Sequence, residues 1–371
     1  MKRLRFTLLA VPLLFGLPPV AASQTLRVRV LEEETLTPIP GALVGLQGTS
    51  GKVIVRVMAN DFGRLVVTAP GPGIYRLRGD RIGHPGRTSD TMQLKADEIR
   101  NYTLLLPTTR LRLAELAVTA VSVCGRARDS SQIVATLWEE ARKALLASEI
   151  TRATGQLELE VQSYELHLTR SLGVREVLNR STRTARTERP FAAVPESVLR
   201  TFGFARPDDK NVWYYAPDAE LLLSDYFLET HCFRAVAGKG ALEGLVGIGF
   251  EPTSEVIHPD VTGVLWLRHK DGGLDHIEYT YTRLELPEPA RYAGGRVVFA
   301  RVGGGQWYVR QWCIRGPLVR AFSGDPAETP FAPGLAGYLE TGGRAIPLKG
   351  PTAPEVHATS AVAAWCKDNI P

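Results

Sequence analysis

The chain has 371 residues, enough for two or three domains of roughly 100–200 residues each and for ordinary hydrophobic cores without metal staples. With 44% hydrophobic and 22% charged residues and no low-complexity tract, wholesale disorder and fibrous repeats are excluded. The net charge of +5 does not point to nucleic acid: Lys2, Arg3 and Arg5 lie at the very start, and the rest holds 41 basic against 39 acidic side chains, too balanced to neutralise a run of phosphates.

Those three cations precede an apolar run from Phe6 to Leu17, then Pro18-Pro19 and the small residues Ala21-Ala22-Ser23. This order predicts a secretory signal over residues 1–23, cleaved before Gln24. The run is shorter than the 18–20 or so residues of a membrane-spanning helix. No Cys follows the cleavage point, so no lipid anchor is expected, and no later segment is apolar enough to cross a bilayer. The expected location is the periplasm or the exterior.

Residues 24–112 alternate apolar and polar positions in short runs: Leu26 to Val30, Leu43 to Leu46, Val53 to Val57, Leu65 to Val67, Ile74 to Leu77, Met92 to Leu94 and Tyr102 to Leu106. Turn residues separate them, including Pro38-Ile39-Pro40-Gly41, Asn60-Asp61 and Pro70-Gly71-Pro72-Gly73. Seven short strands fit two packed sheets. The strings Thr37-Pro38-Ile39-Pro40-Gly41-Ala42-Leu43-Val44, Asp61-Phe62-Gly63-Arg64-Leu65, Pro72-Gly73-Ile74-Tyr75-Arg76-Leu77 and Arg81-Ile82-Gly83-His84 resemble the carboxypeptidase regulatory-like domain. That resemblance implies a transthyretin-like β-sandwich serving as an accessory module in the cell envelope, including ahead of TonB-dependent receptors. Where the family more often has Asp-Gly-Arg-Phe this chain has Asp61-Phe62-Gly63-Arg64, which makes Phe62 a candidate displaced core aromatic.

Residues 113–128 read as a linker. Within it Leu113 to Ala120 is similar to the segment joining such modules to TonB-dependent plugs, where an extended stretch adds a strand to a partner sheet. A plain linker or final strand is the favoured reading, because residues 129–371 lack the serial ten-residue strands of a barrel.

Residues 129–371 read as an α+β domain. Asp129-Ser130-Ser131 offers an N-cap, and Ile133, Val134, Leu137, Trp138, Ala141, Leu145 and Leu146 recur at helical spacing to about Ser148. Strand patterns come after it, with a phase slip between Val161 and Tyr164 that predicts a β-bulge near Gln162-Ser163. Short helices are expected over 195–202 and 218–228, and strands over 244–251, 263–268, 274–283, 296–302 and 307–314, the last two joined by Gly303-Gly304-Gly305. The segments Gly263 to Leu267 and Leu274 to Tyr279 faintly resemble strand pairs of periplasmic lipoprotein carriers, whose curved sheet holds acyl chains under helices.

Cys124, Cys232, Cys313 and Cys366 are widely spaced and include no C-x-x-C, so two disulfides are expected in an oxidising compartment. Three connectivities are open; Cys124–Cys232 with Cys313–Cys366 is preferred, since each ties a flanking segment to the β body. The seven histidines form no H-E-x-x-H, so a zinc peptidase core is missing. Gly48 to Lys52 resembles a P-loop but lacks its first Gly and its Ser or Thr, and there is no G-x-S-x-G elbow. His258-Pro259-Asp260 reads as a turn. No cofactor is called for.

Two sets of residues stand as binding candidates. Arg180, Arg183, Arg186 and Arg189 form a basic stretch that suits phosphate or anionic polysaccharide, although in a strand they divide between two faces. Trp213, Tyr214, Tyr215, Trp266, Trp307 and Trp312 would line a groove for an apolar ligand or sugar unless they are core. The fold expected is mainly β, an N-terminal seven-stranded Ig- or transthyretin-like sandwich plus a C-terminal α+β domain with a large antiparallel sheet. The function expected is that of an exported, non-catalytic envelope protein that binds or scaffolds, its partner an envelope protein or polysaccharide. The alternatives are a periplasmic carrier of an apolar ligand and a hydrolase whose site is invisible in linear sequence. The three readings differ in the space between sheet and helices: filled with side chains, open and lined by aromatics, or lined by converging His and acids.

Overall fold

The computed structural model describes residues 24–113, 123–124, 132–155, 157–186, 189–191, 194–208, 212–286, 290–319 and 334–348. The expected signal segment, most of the expected linker and Cys366 lie outside the described residues.

The first module holds β1 (Gln24–Glu32), β2 (Leu43–Gln47), β3 (Val53–Met58), β4 (Arg64–Ala69), β5 (Gly73–Asp80), β6 (Arg87–Thr88), β7 (Met92–Leu94) and β8 (Ile99–Leu106). All seven apolar runs are strands, and β6 is a short addition at the edge of β5. β1 lies between β4, antiparallel, and β8, parallel. β2 lies between β3 and β5. Alternate residues face inward, so Leu26, Val28 and Val30 meet Val44, Leu46, Leu77, Leu104 and Leu106 in one core. Phe62 is not part of it and is 69% exposed. Asn60 Oδ1 accepts from the backbone N–H of both Phe62 and Arg64, each at 3.0 Å, and this Asx turn throws Phe62 outward while Leu65 takes the inward place.

The second module contains β9 (Val123–Cys124), α1 (Gln132–Thr154), β10 (Glu158–Leu168), β11 (Val174–Arg186), α2 (Glu196–Phe202), β12 (Ala205–Pro207), β13 (Val212–Tyr214), α3 (Ala219–Leu222), α4 (Asp225–Thr230), β14 (His231–Ala237), β15 (Leu245–Pro252), β16 (Asp260–Arg268), β17 (Leu274–Thr282), β18 (Gly294–Arg301), β19 (Trp307–Val319) and β20 (Leu335–Pro347). Ten of these strands form one antiparallel sheet in the order β11-β10-β20-β19-β18-β17-β16-β15-β14-β9. The protein is therefore mainly β, a sandwich followed by a large antiparallel sheet, with four α-helices among the described residues.

α1 lies across this sheet, its stripe of Leu137, Ala141, Ala144 and Leu145 buried with Leu265, Leu267, Ile277 and Val297. It outruns its expected end at Ser148 because Thr151 is still fully buried, its Oγ1 accepting from Trp307 N–H at 3.2 Å. Gly155, at φ +59°, then ends it. The helix expected over 218–228 is two helices. Asp218 Oδ1 caps α3 through Leu221 N–H at 2.8 Å, and Ser224 Oγ starts α4 through Phe227 N–H at 3.2 Å.

The phase slip in β10 is real, with burial passing from Leu159 and Val161 to Tyr164, Leu166 and Leu168. Its bulges sit slightly later than expected. β10 stays in continuous register with β20, whereas its register with β11 shifts after Glu165 and after His167. No helix among the described residues is long and apolar enough to cross a membrane.

Candidate ligand cleft between the modules

The aromatic set does not form one groove. Trp266, Trp307 and Trp312 are core residues, 4%, 1% and 3% exposed. Each covers a glycine: an added Cβ at Gly247 would meet the Trp266 ring at 3.0 Å, one at Gly273 the Trp307 ring at 3.0 Å and one at Gly343 the Trp312 ring at 2.7 Å. Tyr214 packs against Tyr281 with ring centroids 5.3 Å apart and the rings tilted by 56°, and burial pushes its hydroxyl up to about 12, so it remains a neutral packing group. Tyr215 lends its carbonyl to Tyr281 Oη at 2.8 Å. Only Trp213 is openly exposed, and its Nε1 donates to Asp208 at 3.2 Å.

The arginine set also separates. Arg180, Arg183 and Arg186 lie on β11, the outer strand of the sheet, where every residue but Ala185 is exposed. Arg189 lies beyond the strand and turns inward to Glu220, to Asp218 at 3.3 Å and to Glu149 at 3.9 Å. These pairs cap the space under the C-terminal half of α1. That space, lined by Leu159, Val161, Phe299 and Trp307 among others, amounts to about 50 Å³, room for very few waters.

Neither Cys232 nor Cys313 is a free thiol; both are disulfide-bonded. β9 pairs with β14 so that Cys124 stands opposite Cys232, which is the register the preferred connectivity requires.

An opening lies between the modules, a cleft of about 530 Å³. Three turns of the first module face two turns of the second around it. The first module supplies the Pro38–Gly41 loop, the Arg81–His84 turn and Arg110-Leu111; the second supplies Lys270-Asp271 between β16 and β17 and the Arg301–Gly305 turn between β18 and β19. Glycines bring these turns into backbone contact. A Cβ on Gly41, at φ +70°, would fall 2.5 Å from Gly305 Cα, and one on Gly272, at φ +69°, 2.9 Å from Gly83 Cα. Only glycine fits both the positive φ and the approach.

Beneath the cleft a buried ion pair joins the modules. Glu140 and Lys143 stand one turn apart on α1, 1% and 3% exposed, with Nζ 2.5 Å from Oε1. Gly83 N–H donates to Glu140 Oε2 at 2.6 Å. Lys143 Nζ donates to the carbonyls of His84 at 2.7 Å and Arg81 at 3.2 Å. Every outward end of the pair is thus satisfied by the backbone of the other module, as a buried pair requires. Leu43 of the first module and Leu113 just after it belong to the core of the second.

The cleft wall is strongly basic. Arg81, Arg110, Lys270 and Arg301 line it against one acid, Asp271. Arg81 is bound to Glu32 at 2.5 Å, and Asp271 to Arg268 at 3.0 Å. His84 is 5% exposed and its Nδ1 has no partner among the described residues. Burial, with Arg81 beside it, holds its ring below the usual histidine range.

Two other buried histidines have acid partners. His231 Nε2 meets Asp260 Oδ1 at 3.1 Å while Phe227 stacks on the ring at 3.9 Å. Asp260 also accepts from Val261 N–H at 2.6 Å, so its position in the expected turn serves to hold β16 to β14. His276 Nδ1 meets Asp275 at 2.7 Å, on the sheet face away from α1. Among the described residues no three His, Cys, Asp or Glu side chains are placed to hold a metal ion.

No family model and no curated protein matches the chain. Solved structures with partial likeness include the Bacillus anthracis TIE protein, at 10% identity over 44% of this chain and 27% of that one, with a TM-score of 0.21. A streptococcal ancillary pilin shares 10% identity over 64% of this chain and 61% of that one, with a TM-score of 0.20. The shaft pilin SpaA of Lactobacillus rhamnosus GG shares 9% identity over 67% of this chain and 94% of that one, again at 0.20. This chain thus spans about a quarter of the first and some three fifths of the second, and none of these likenesses bears on what it binds.

Proposed function

We propose that the protein is an exported, non-catalytic binding or scaffolding component of the bacterial cell envelope, its first module a carboxypeptidase regulatory-like sandwich held rigidly on an α+β sheet domain. The observation that carries this reading is the filled interior: about 50 Å³ lies under α1, against the roughly 300–1,000 Å³ of small-molecule sites. A carrier would store its apolar ligand there, and a hydrolase would gather its His and acids there; the space instead holds packed side chains closed over by Arg189. Binding then falls to the exterior, and the inter-module cleft of about 530 Å³ is an opening of suitable size. Export is supported by the leader, and by cysteines held as disulfides.

Expression of the full chain in a diderm bacterial host, followed by osmotic-shock fractionation and N-terminal sequencing, tests it. The expected result is a chain beginning at Gln24 in the periplasm or medium. An uncleaved cytoplasmic chain would overturn the reading.

A further inference from the structure

We infer that the inter-module cleft is a binding site for a small hydroxylated anion, a carboxylate or phosphate group held by Arg110, Lys270 and Arg301 with a hydroxyl donated to His84 Nδ1. This rests on the reading of the protein as a binding protein and names the ligand chemistry. The cations are available: among the described residues no carboxylate pairs with Arg110, Lys270 or Arg301, and Asp271 is occupied by Arg268 and by Gly273 N–H at 3.0 Å. Three cations lining one cleft leave a positive potential that an oxyanion offsets through charge-assisted hydrogen bonds.

His84 supplies the second, independent point. A buried polar atom without a partner is costly unless a ligand satisfies it. The Thr109 backbone lies beside the ring. The groups around it are Arg81, Arg110 and Glu32 from its own module, Lys143 and Glu140 of α1 below, and Lys270 and Asp271 across the cleft. With cations on most sides the imidazole is neutral, and its free Nδ1 is an acceptor. The His84 ring and the cations line one cavity of about 530 Å³, which suits a compact molecule carrying an anionic group and a hydroxyl.

Isothermal titration of the mature full chain with D-glucuronate, inorganic phosphate and D-glucose tests the inference. Binding of glucuronate identifies an acidic sugar or hydroxy acid as the source of the anion, and binding of phosphate alone identifies a phosphate group. Glucose, which lacks the charge, is expected not to bind. The double substitution Lys270→Ala/Arg301→Ala, at exposed positions that leave folding intact, is expected to weaken binding about 10-fold or more. His84→Phe keeps a buried ring and is expected to weaken glucuronate severalfold. No binding by either anion, glucose binding as tightly as glucuronate, or equal binding by the double variant would overturn it. A chain that is exported yet binds neither anion removes this inference alone, whereas failure of export removes the reading beneath it.

Discussion

His84 is buried because its turn is clamped from below, through the carbonyl that accepts from Lys143. Burial lowers the affinity of its ring for a proton, as it does for His276 despite Asp275 alongside. In the unfolded chain both protonate near 6.5, and in the folded chain only at lower pH. The unfolded state therefore binds more protons across that interval, so the stability these residues contribute is complete above about pH 6.5 and is lost as pH falls through it toward the folded values. Urea denaturation between pH 8 and 5 is expected to show falling stability, with a shallower fall in His84→Gln. An identical slope in the variant would mean that His84 is as accessible to protons folded as unfolded. None of this was legible at the residue itself, since a single His in a turn reads as solvated and only the fold seals it.

At the scale of elements, strands were legible where alternation was clean. β1, β4 and β5 carry their apolar residues at every second position, and they pair as such. β20 was not legible, because Gly337, Gly342 and Gly343 interrupt it and read as loop. Two of those glycines face aromatic rings from neighbouring strands: a Cβ at Gly342 would lie 2.5 Å from Tyr164 Oη and one at Gly343 2.7 Å from the Trp312 ring. Aromatic rings laid over strand glycines restore the surface that glycine fails to bury. Gly343→Ala is accordingly expected to cost about 1–3 kcal/mol through overpacking, since its Cβ would also fall 2.2 Å from the Gln162 carbonyl oxygen, read as a lowered Tm, and an unchanged Tm would show that both the Trp312 ring and the β10 backbone can give way. The same pairing explains why the tryptophans suggested a groove in sequence and proved to be core. β11 shows the opposite case, an outer strand exposed on both faces, whose arginines serve to keep a free sheet edge from pairing with other chains.

At the scale of the molecule, the two modules meet through a buried ion pair whose outward ends are paired and through Leu43 and Leu113. Lys143→Met leaves Glu140 without its cation at 1% exposure, and is expected to destabilise the chain by about 3–5 kcal/mol. The double variant Glu140→Leu/Lys143→Met removes the stranded charge and is expected to recover part of that loss. Equal stability of all three chains in urea would place the modules in loose contact. Sequence foretold two modules but not the joint. The joint consists of turns, glycine contacts and a Glu-Lys pair that resembles any exposed pair one turn apart on a helix. The cleft was hidden for a related reason, since Arg81, Arg110, Lys270 and Arg301 lie far apart along the chain and each alone reads as a solvated charge. Hydrogen exchange of the mature full chain with and without D-glucuronate and phosphate tests most directly that the protein works through this cleft. Added protection is expected at Arg81–His84, Lys270-Asp271 and Arg301–Gly305. Protection beneath α1 instead, or none anywhere, would contradict it.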